Sequence, residues 1–281
     1  MNNLSMDTKS FEALAELAYN ESGLQLVAEK TSMIQSRLRH RLREVGLDNF
    51  SSYAEFVCSD RGLDERREMI SALTTNVSHF FREMHHFEIF SSKILPQAME
   101  RARNGDRIRV WSAGCSNGQE AYSVALEVLE KFPDLSGLDF KILATDIDPK
   151  VVAFGRAGIY PERFVSGIPP NLLSRYFSKF SDGDETCYEV CSDAKQLVVF
   201  KELNLLSEWP IKNTFDVIFC RNVVIYFDLY TQNKLWPRFH NHLNQDGFLF
   251  LGHSERISDP EASGFHNDGP TAYRPIKINN S

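Results

Sequence analysis

The chain has few cysteines and scatters them. Cys58, Cys115, Cys187, Cys191 and Cys220 are odd in number, widely spaced and form no C-x-x-C pair. That argues against a disulfide framework and against a zinc site. Only Cys187 and Cys191 lie close together, and a shared strand face is not by itself metal-ligand geometry. No apolar run approaches the roughly 20 residues that cross a bilayer. The first ten residues are polar and lack the apolar core of a secretory leader. These absences predict a cytoplasmic protein with no metal site and no membrane insertion. Positive charge is not in excess either: the net charge is −7, which disfavours a nucleic-acid partner. There is no internal repeat and no low-complexity segment.

What is present is a globular composition, 42% hydrophobic and 25% charged over 281 residues, with room for more than one domain. Residues 1–75 carry helical patterning without strand signals. Phe11, Leu14, Leu17 and Ala18 form one stripe, with Asp7 or Thr8 as N-cap and Gly23 as stop. Ile34, Leu38, Leu42 and Val45 form a second, closed by Gly46. Tyr53, Phe56 and Val57 follow a cap at Ser51 or Ser52. Met69, Ile70 and Leu73 end a fourth helix that begins near Leu63. Four amphipathic helices predict a small all-α N-terminal domain.

The second of these helices places Arg37, Arg39, Arg41 and Arg43 on both sides of its apolar stripe, with no acid before Glu44. The surrounding residues 1–75 hold 12 acids and 9 bases. A local cluster of one sign against that background predicts a docking surface for an acidic partner; a solvated helix face is the alternative.

Residues 76–104 read as a linker and helix, with Phe87, Ile89, Phe90 and Ile94 before a break at Pro96. From 105 to 281 strands and helices alternate. Apolar strands at 108–111, 140–146, 215–220 and 247–252, a helix at 231–243 and a last strand at 271–276 predict a parallel sheet covered on both faces. Between about 158 and 201 the alternation lapses around Pro161, Pro169 and Pro170. Short strands at 187–191 and 197–200, with turn chemistry at 181–184, predict a small β-rich insertion.

The chemistry gathers at strand ends. The first strand runs into a turn hinged on Gly114 and Gly118 and then into a helix. The second ends in Asp146. Glycines for close backbone approach and an acid for ribose hydroxyls are the parts of a nucleoside-cofactor site. The glycine-to-acid interval is about 30 residues, against roughly 20 in the dinucleotide fingerprint, and G-x-x-x-G is not G-x-G-x-x-G. Glu120 at the helix start discourages a pyrophosphate, which needs positive potential there. It suits a cation, so S-adenosylmethionine, with its sulfonium and ammonium, fits better than a nicotinamide dinucleotide. A third strand end brings Arg221, Asn222 and Tyr226 to where a substrate would meet the cofactor.

Six segments, in order, resemble the CheR family of bacterial chemotaxis-receptor glutamate methyltransferases. They are residues 75–83 (Thr75-Asn76-Val77-Ser78-His79-Phe80-Phe81-Arg82-Glu83), 111–123, 144–148, 203–206, 215–228 and 252–255. The resemblance covers nearly the whole chain. It implies an α/β fold: a Rossmann-like class I S-adenosylmethionine-dependent methyltransferase sheet with a small β insertion, preceded by a small all-α N-terminal domain. It also implies S-adenosylmethionine as methyl donor, S-adenosylhomocysteine as product, and receptor glutamates converted to γ-methyl esters.

Carried over by motif, Asn76, Ser78 and Arg82 lie at the cofactor and reaction site, beside Gly114. Glu120 and Asp146 hold polar groups of the cofactor, Asp146 on the ribose. Asn204 and Leu205 sit near the adenine. Arg221, Asn222 and Tyr226 line the methyl-transfer end, with Arg82 and Tyr226 in the catalytic roles. The implied partner is the cytoplasmic helical region of the receptors, docked by Arg37, Arg39, Arg41 and Arg43. In some members of the family the β insertion holds a receptor C-terminal peptide. Ser78 stands where the family often has threonine, and Gln119 where it often has the first of two glutamates. The rival readings are a non-catalytic S-adenosylmethionine-sensing or receptor-binding module, and a dehydrogenase.

Overall fold

A computed structural model describes residues 5–276; the first four residues of the helical segment and the last five of the α/β segment lie outside it. The chain begins with four helices: α1 (Thr8–Ser22), α2 (Thr31–Glu44), α3 (Phe50–Cys58) and α4 (Leu63–Leu73). The Asp7 side chain accepts from the Ser10 N–H to start α1, and Gly23, at φ 71°, ends it. The cap of α3 is Asn49, not Ser51 or Ser52. Asn49 is extended at φ −151° and its side chain accepts from the Ser52 N–H, so both serines fall inside the first turn. Leu14, Ala18, Ile34, Leu38, Leu42, Tyr53, Val57 and Met69 make the bundle core.

A continuous helical stretch follows: α5 (Met84–Ile89), a π-helical turn (Phe90–Ile94) and α6 (Leu95–Arg103). Pro96 does not break it as expected. Pro96 lies in the first turn of α6, and the wider π turn before it accommodates the missing N–H.

The remaining elements are β1 (Ile108–Ala113), α7 (Gln119–Lys131), β2 (Phe140–Asp146), α8 (Pro149–Ala157), β3 (Ile159–Pro161), α9 (Glu162–Val165), α10 (Pro170–Tyr176), β4 (Phe177–Asp182), β5 (Glu185–Val190), α11 (Ser192–Leu197), β6 (Val198–Glu202), β7 (Phe215–Cys220), α12 (Leu229–Asn241), β8 (Leu243–Leu251), β9 (Phe265–Asn267) and β10 (Ala272–Pro275). The main sheet has the order β6-β2-β1-β7-β8-β10-β9. Its first five strands are parallel; β10 runs antiparallel to both β8 and β9. The all-parallel expectation therefore fails at one edge, where residues 268–271 join β9 to β10 as a short antiparallel connection.

A second correction concerns residues 197–200. They do not belong to the β insertion. Leu197 ends α11, and 198–200, as part of β6, pair with β2, Val198 opposite Ile142, at the far edge of the main sheet. The insertion is a separate three-stranded antiparallel sheet, β3-β5-β4.

Alternate residues of the main strands feed opposite cores. Val110, Phe219 and Phe250 face one side, Trp111, Ile218 and Leu249 the other. Where β1, β2 and β7 end, neither core continues and the sheet opens into a cleft. The helical bundle closes the other wall. The Tyr19 hydroxyl donates to Asp228 Oδ2 at 2.9 Å, the Asn204 amide donates to the Glu21 carbonyl at 2.7 Å, and the Gln25 N–H donates to the Tyr226 carbonyl at 2.9 Å.

Candidate active site

The cleft encloses about 1000 Å³ including its open mouth. Each wall comes from a strand end or from the segment joining the bundle to the sheet. After β1 the chain turns at Gly114, φ 84°, where a Cβ would stand 2.3 Å from Val223 Cγ2. Only glycine fits both that conformation and that contact. Ser116 is also left-handed, at φ 49°. Its N–H donates to Asp146 Oδ2 at 2.8 Å and its hydroxyl to the Asn76 carbonyl at 3.2 Å.

Asp146, at the end of β2, accepts at Oδ1 from the Asp148 N–H at 3.1 Å. Burial pushes its carboxyl up to about 6, against the opposing effect of these backbone donors. Asp148 in turn accepts from the Ser71 hydroxyl, the Asn76 amide and the Lys150 N–H, each at 2.9 Å. It ties α4, the segment after it and the start of α8 to one carboxylate.

The opposite end of the cleft is an arginine held between two acids. Arg221 Nη1 lies 3.1 Å from Glu120 Oε2, and Nη2 lies 3.2 Å from Glu83 Oε2. Nη2 also donates to the Arg82 carbonyl. The side chain is 1% exposed, yet its Nε has no hydrogen-bond partner among the described residues. Burial pushes the Glu120 carboxyl up, opposed by the Arg221 charge and the Ser112 hydrogen bond. Burial also works on Glu83, but the His253 hydrogen bonds and the Arg221 charge outweigh it and hold that carboxyl at about 2.

Glu83, His85 and His86 stand close enough together to suggest a cation site. The guanidinium 3.2 Å from Glu83 and the full engagement of that carboxylate argue against one.

The structure brings Asn76, Ser78, Arg82, Gly114, Glu120, Asp146, Asn204, Leu205, Arg221, Asn222 and Tyr226 to this one cleft. Glu83 and Gln119 lie outside the cleft lining but hold residues that belong to it. Glu83 braces Arg221 from 138 positions away, and no spacing rule reveals that. Gln119 is fully buried and its amide donates to the Ser78 carbonyl at 3.2 Å. An ionised glutamate has no proton to give that carbonyl, so the departure at this position has a local role. Ser22 and Leu24 reach the cleft from the helical bundle.

The four arginines of α2 divide: Arg41 and Arg37 are engaged by α4 and the residues after it. Arg41 is bonded to Glu65 through Nε at 2.9 Å and Nη2 at 2.6 Å. Arg37 Nη1 donates to the Leu73 and Thr74 carbonyls at 2.6 and 3.2 Å, and Nη2 to the Thr75 hydroxyl at 2.9 Å. Arg39 and Arg43 are exposed.

The donor set fits the cofactor that the sequence implies. Two carboxylates, Glu120 and Asp146, and two guanidiniums, Arg82 and Arg221, line the cleft, and Glu83 pairs with Arg221, which suits a ligand that carries both signs of charge. Leu24, Ile147 and Leu205 give apolar surface for a base beside Asp146. A phosphate would sit badly beside Glu120, whereas a sulfonium would not. Sheet order and cleft together place the protein among the Rossmann-like S-adenosylmethionine-dependent methyltransferases.

Comparison with known proteins narrows the class. Residues 76–271 match the family model described as CheR methyltransferase, SAM binding domain, and residues 9–74 match CheR methyltransferase, all-alpha domain. A probable chemotaxis protein methyltransferase of Rhizobium etli is 47% identical over 258 residues, covering 92% of this chain and 96% of that protein. The chemotaxis protein methyltransferase of Borreliella burgdorferi is 38% identical, covering 91% and 90%. That of Escherichia coli K12 is 37% identical, covering 96% and 92%. The chain belongs to the CheR methyltransferase family. Among the described residues, no helix is long and apolar enough to cross a membrane.

Proposed function

We propose that this protein transfers the methyl group of S-adenosylmethionine to glutamate side chains on the cytoplasmic helical region of chemoreceptors, forming γ-methyl esters for chemotactic adaptation. The names of its relatives support a chemotaxis role. The observation that carries the choice of acceptor is Arg82. It lines the cleft, its Nη1 donates to the Val77 carbonyl at 3.0 Å, and among the described residues it has no carboxylate partner. The other cleft arginine is already held between two acids.

When bound, the cofactor supplies an electrophilic methyl on a sulfonium. A glutamate carboxylate is ionised near neutral pH, so the site needs no strong base. Its work is alignment. Arg82 orients the incoming carboxylate by charge-assisted hydrogen bonding. Tyr226, partly buried against the bundle core, shapes the place where the acceptor enters. The methyl would pass from the sulfonium to one carboxylate oxygen, with the carbon–sulfur bond broken and S-adenosylhomocysteine as the neutral thioether product. Asp146 would hold ribose hydroxyls, Asn204 and Leu205 the adenine, and Glu120 with Asn76 and Ser78 the amino-acid end.

Docking falls to Arg39 and Arg43, the exposed arginines of α2. The edge strand β4 of the insertion offers main-chain pairing to an extended receptor C-terminal peptide. The test is incubation with labelled S-adenosylmethionine and chemoreceptor membranes. Base-labile label on receptor supports the ester. Cofactor binding without transfer would support a non-catalytic module, and Arg82→Ala with full activity and full cofactor affinity would remove the role given to that residue.

A further inference from the structure

The loop after β7 forms the acceptor end of the cleft, but its own side chains do not explain its conformation. Asn222 is left-handed, at φ 60°. Its neighbours Arg221, Val223 and Tyr226 line the cleft. The turn is held by a carboxylate from another segment. Glu255, just beyond β8, is 3% exposed. Its Oε2 accepts from the Asn222 N–H at 2.7 Å and the Gly252 N–H at 2.6 Å, and its Oε1 from the Ile225 N–H at 3.2 Å. Among the described residues no cation pairs with it, so backbone dipoles alone meet its charge. Gly252 completes the contact: a Cβ there would stand 2.5 Å from Asn222 Nδ2 and 2.8 Å from Glu255 Oε2. Asn222 Nδ2 then reaches Glu83 Oε1 at 3.3 Å, on the acid that braces Arg221.

We infer that Glu255 is a positioning residue for methyl transfer, a buried carboxylate clamp that joins the loop after β8 to the loop after β7 and fixes the acceptor end of the cleft. The inference rests on the methyl-transfer reading above. Glu255 does not line the cleft; it acts through Asn222 and Ile225. A glutamine at this position keeps the volume but turns an N–H₂ toward at least one backbone N–H. A purely structural role would lower stability and leave turnover by the folded protein intact.

The experiment compares full-length wild type with Glu255→Gln and Glu255→Asp. It measures amide hydrogen exchange, S-adenosylmethionine affinity, and kcat and KM on receptor membranes, counting folded protein by S-adenosylhomocysteine titration. Glu255→Gln is expected to lose protection at the Asn222 and Ile225 amides while β1 and β7 stay protected. Its kcat should fall about 10- to 100-fold, the scale of a small misalignment, with cofactor affinity within about threefold of wild type. A kcat per folded molecule within about twofold of wild type, or unchanged protection at Asn222 and Ile225, overturns the inference. If Glu255→Gln does not fold, Glu255→Asp decides: it keeps the charge on a shorter stem, so lowered kcat with retained cofactor binding supports the clamp and wild-type kcat overturns it. A wild type inactive on receptor would instead overturn the methyl-transfer reading, and the exchange measurement would still test the clamp.

Discussion

Among the described residues, two arginine–glutamate clusters are finished differently. In the helical bundle Arg41 meets Glu65 with two parallel hydrogen bonds, the Tyr53 hydroxyl donates to the same carboxylate at 2.8 Å, and Glu68 lies 3.3 Å from the outer guanidinium nitrogen. The pair is closed on itself. At the sheet, Arg221 is shared between Glu83 and Glu120, with Nε unpartnered and the cleft alongside. Residue types and burial are similar, but only the second cluster keeps polar capacity for something outside the chain. The closed cluster fixes a fold; the open one prepares a ligand site.

That contrast can be broken by substitution. Arg221→Met should have the largest effect, leaving Glu120 and Glu83 without their guanidinium partner. It is expected to cost about 3–5 kcal/mol in urea unfolding and to weaken S-adenosylmethionine binding in calorimetry. Arg41→Met should cost about 3 kcal/mol, with cofactor affinity of the folded protein unchanged. Equal loss of affinity in both variants would erase the distinction drawn here.

The next effect is in pH. Asp146 binds its proton more tightly in the fold, at about 6, than at its ordinary 3.8. For this group alone, unliganded stability is greatest below 3.8 and declines as pH rises toward 6. The ribose contact proposed for Asp146 needs the ionised form, so cofactor affinity should run the other way. It should fall by up to about tenfold per pH unit below 6, and Asp146→Asn should flatten that profile. A flat wild-type profile between pH 5 and 7 would remove Asp146 from the ribose. Smallest is the docking surface. Arg39→Glu with Arg43→Glu should change stability by less than about 0.5 kcal/mol and raise KM for receptor, an effect that fades with salt. An unchanged KM at low salt would leave α2 without a docking role.

The same contrast explains what could be read in advance. Gly114, Asp146 and Arg221 sit at the ends of apolar strands, and the parallel topology brings such ends together, so the cleft was visible in the pattern. The four helices announced themselves through their stripes and through Asp7 and Gly23. Arg41 misled because a helical spacing says which residues are neighbours, not which face meets Glu65 24 positions later. Residues 197–200 misled because a short apolar run fits an insertion as well as a sheet edge. Glu83 and Glu255 lie in segments that resemble the family, but their roles depend on contacts from 30 to 170 positions away, which no local spacing reveals.

Asp148 has a consequence for anyone engineering this protein. One carboxylate collects Ser71 from the bundle, Asn76 from the joining segment and the first turn of α8. The two halves are therefore not interchangeable cassettes. A chimera that grafts another helical bundle onto this sheet must carry the Ser71 hydroxyl and the Asn76 side chain across the junction, or the graft will disturb the start of α8 as well.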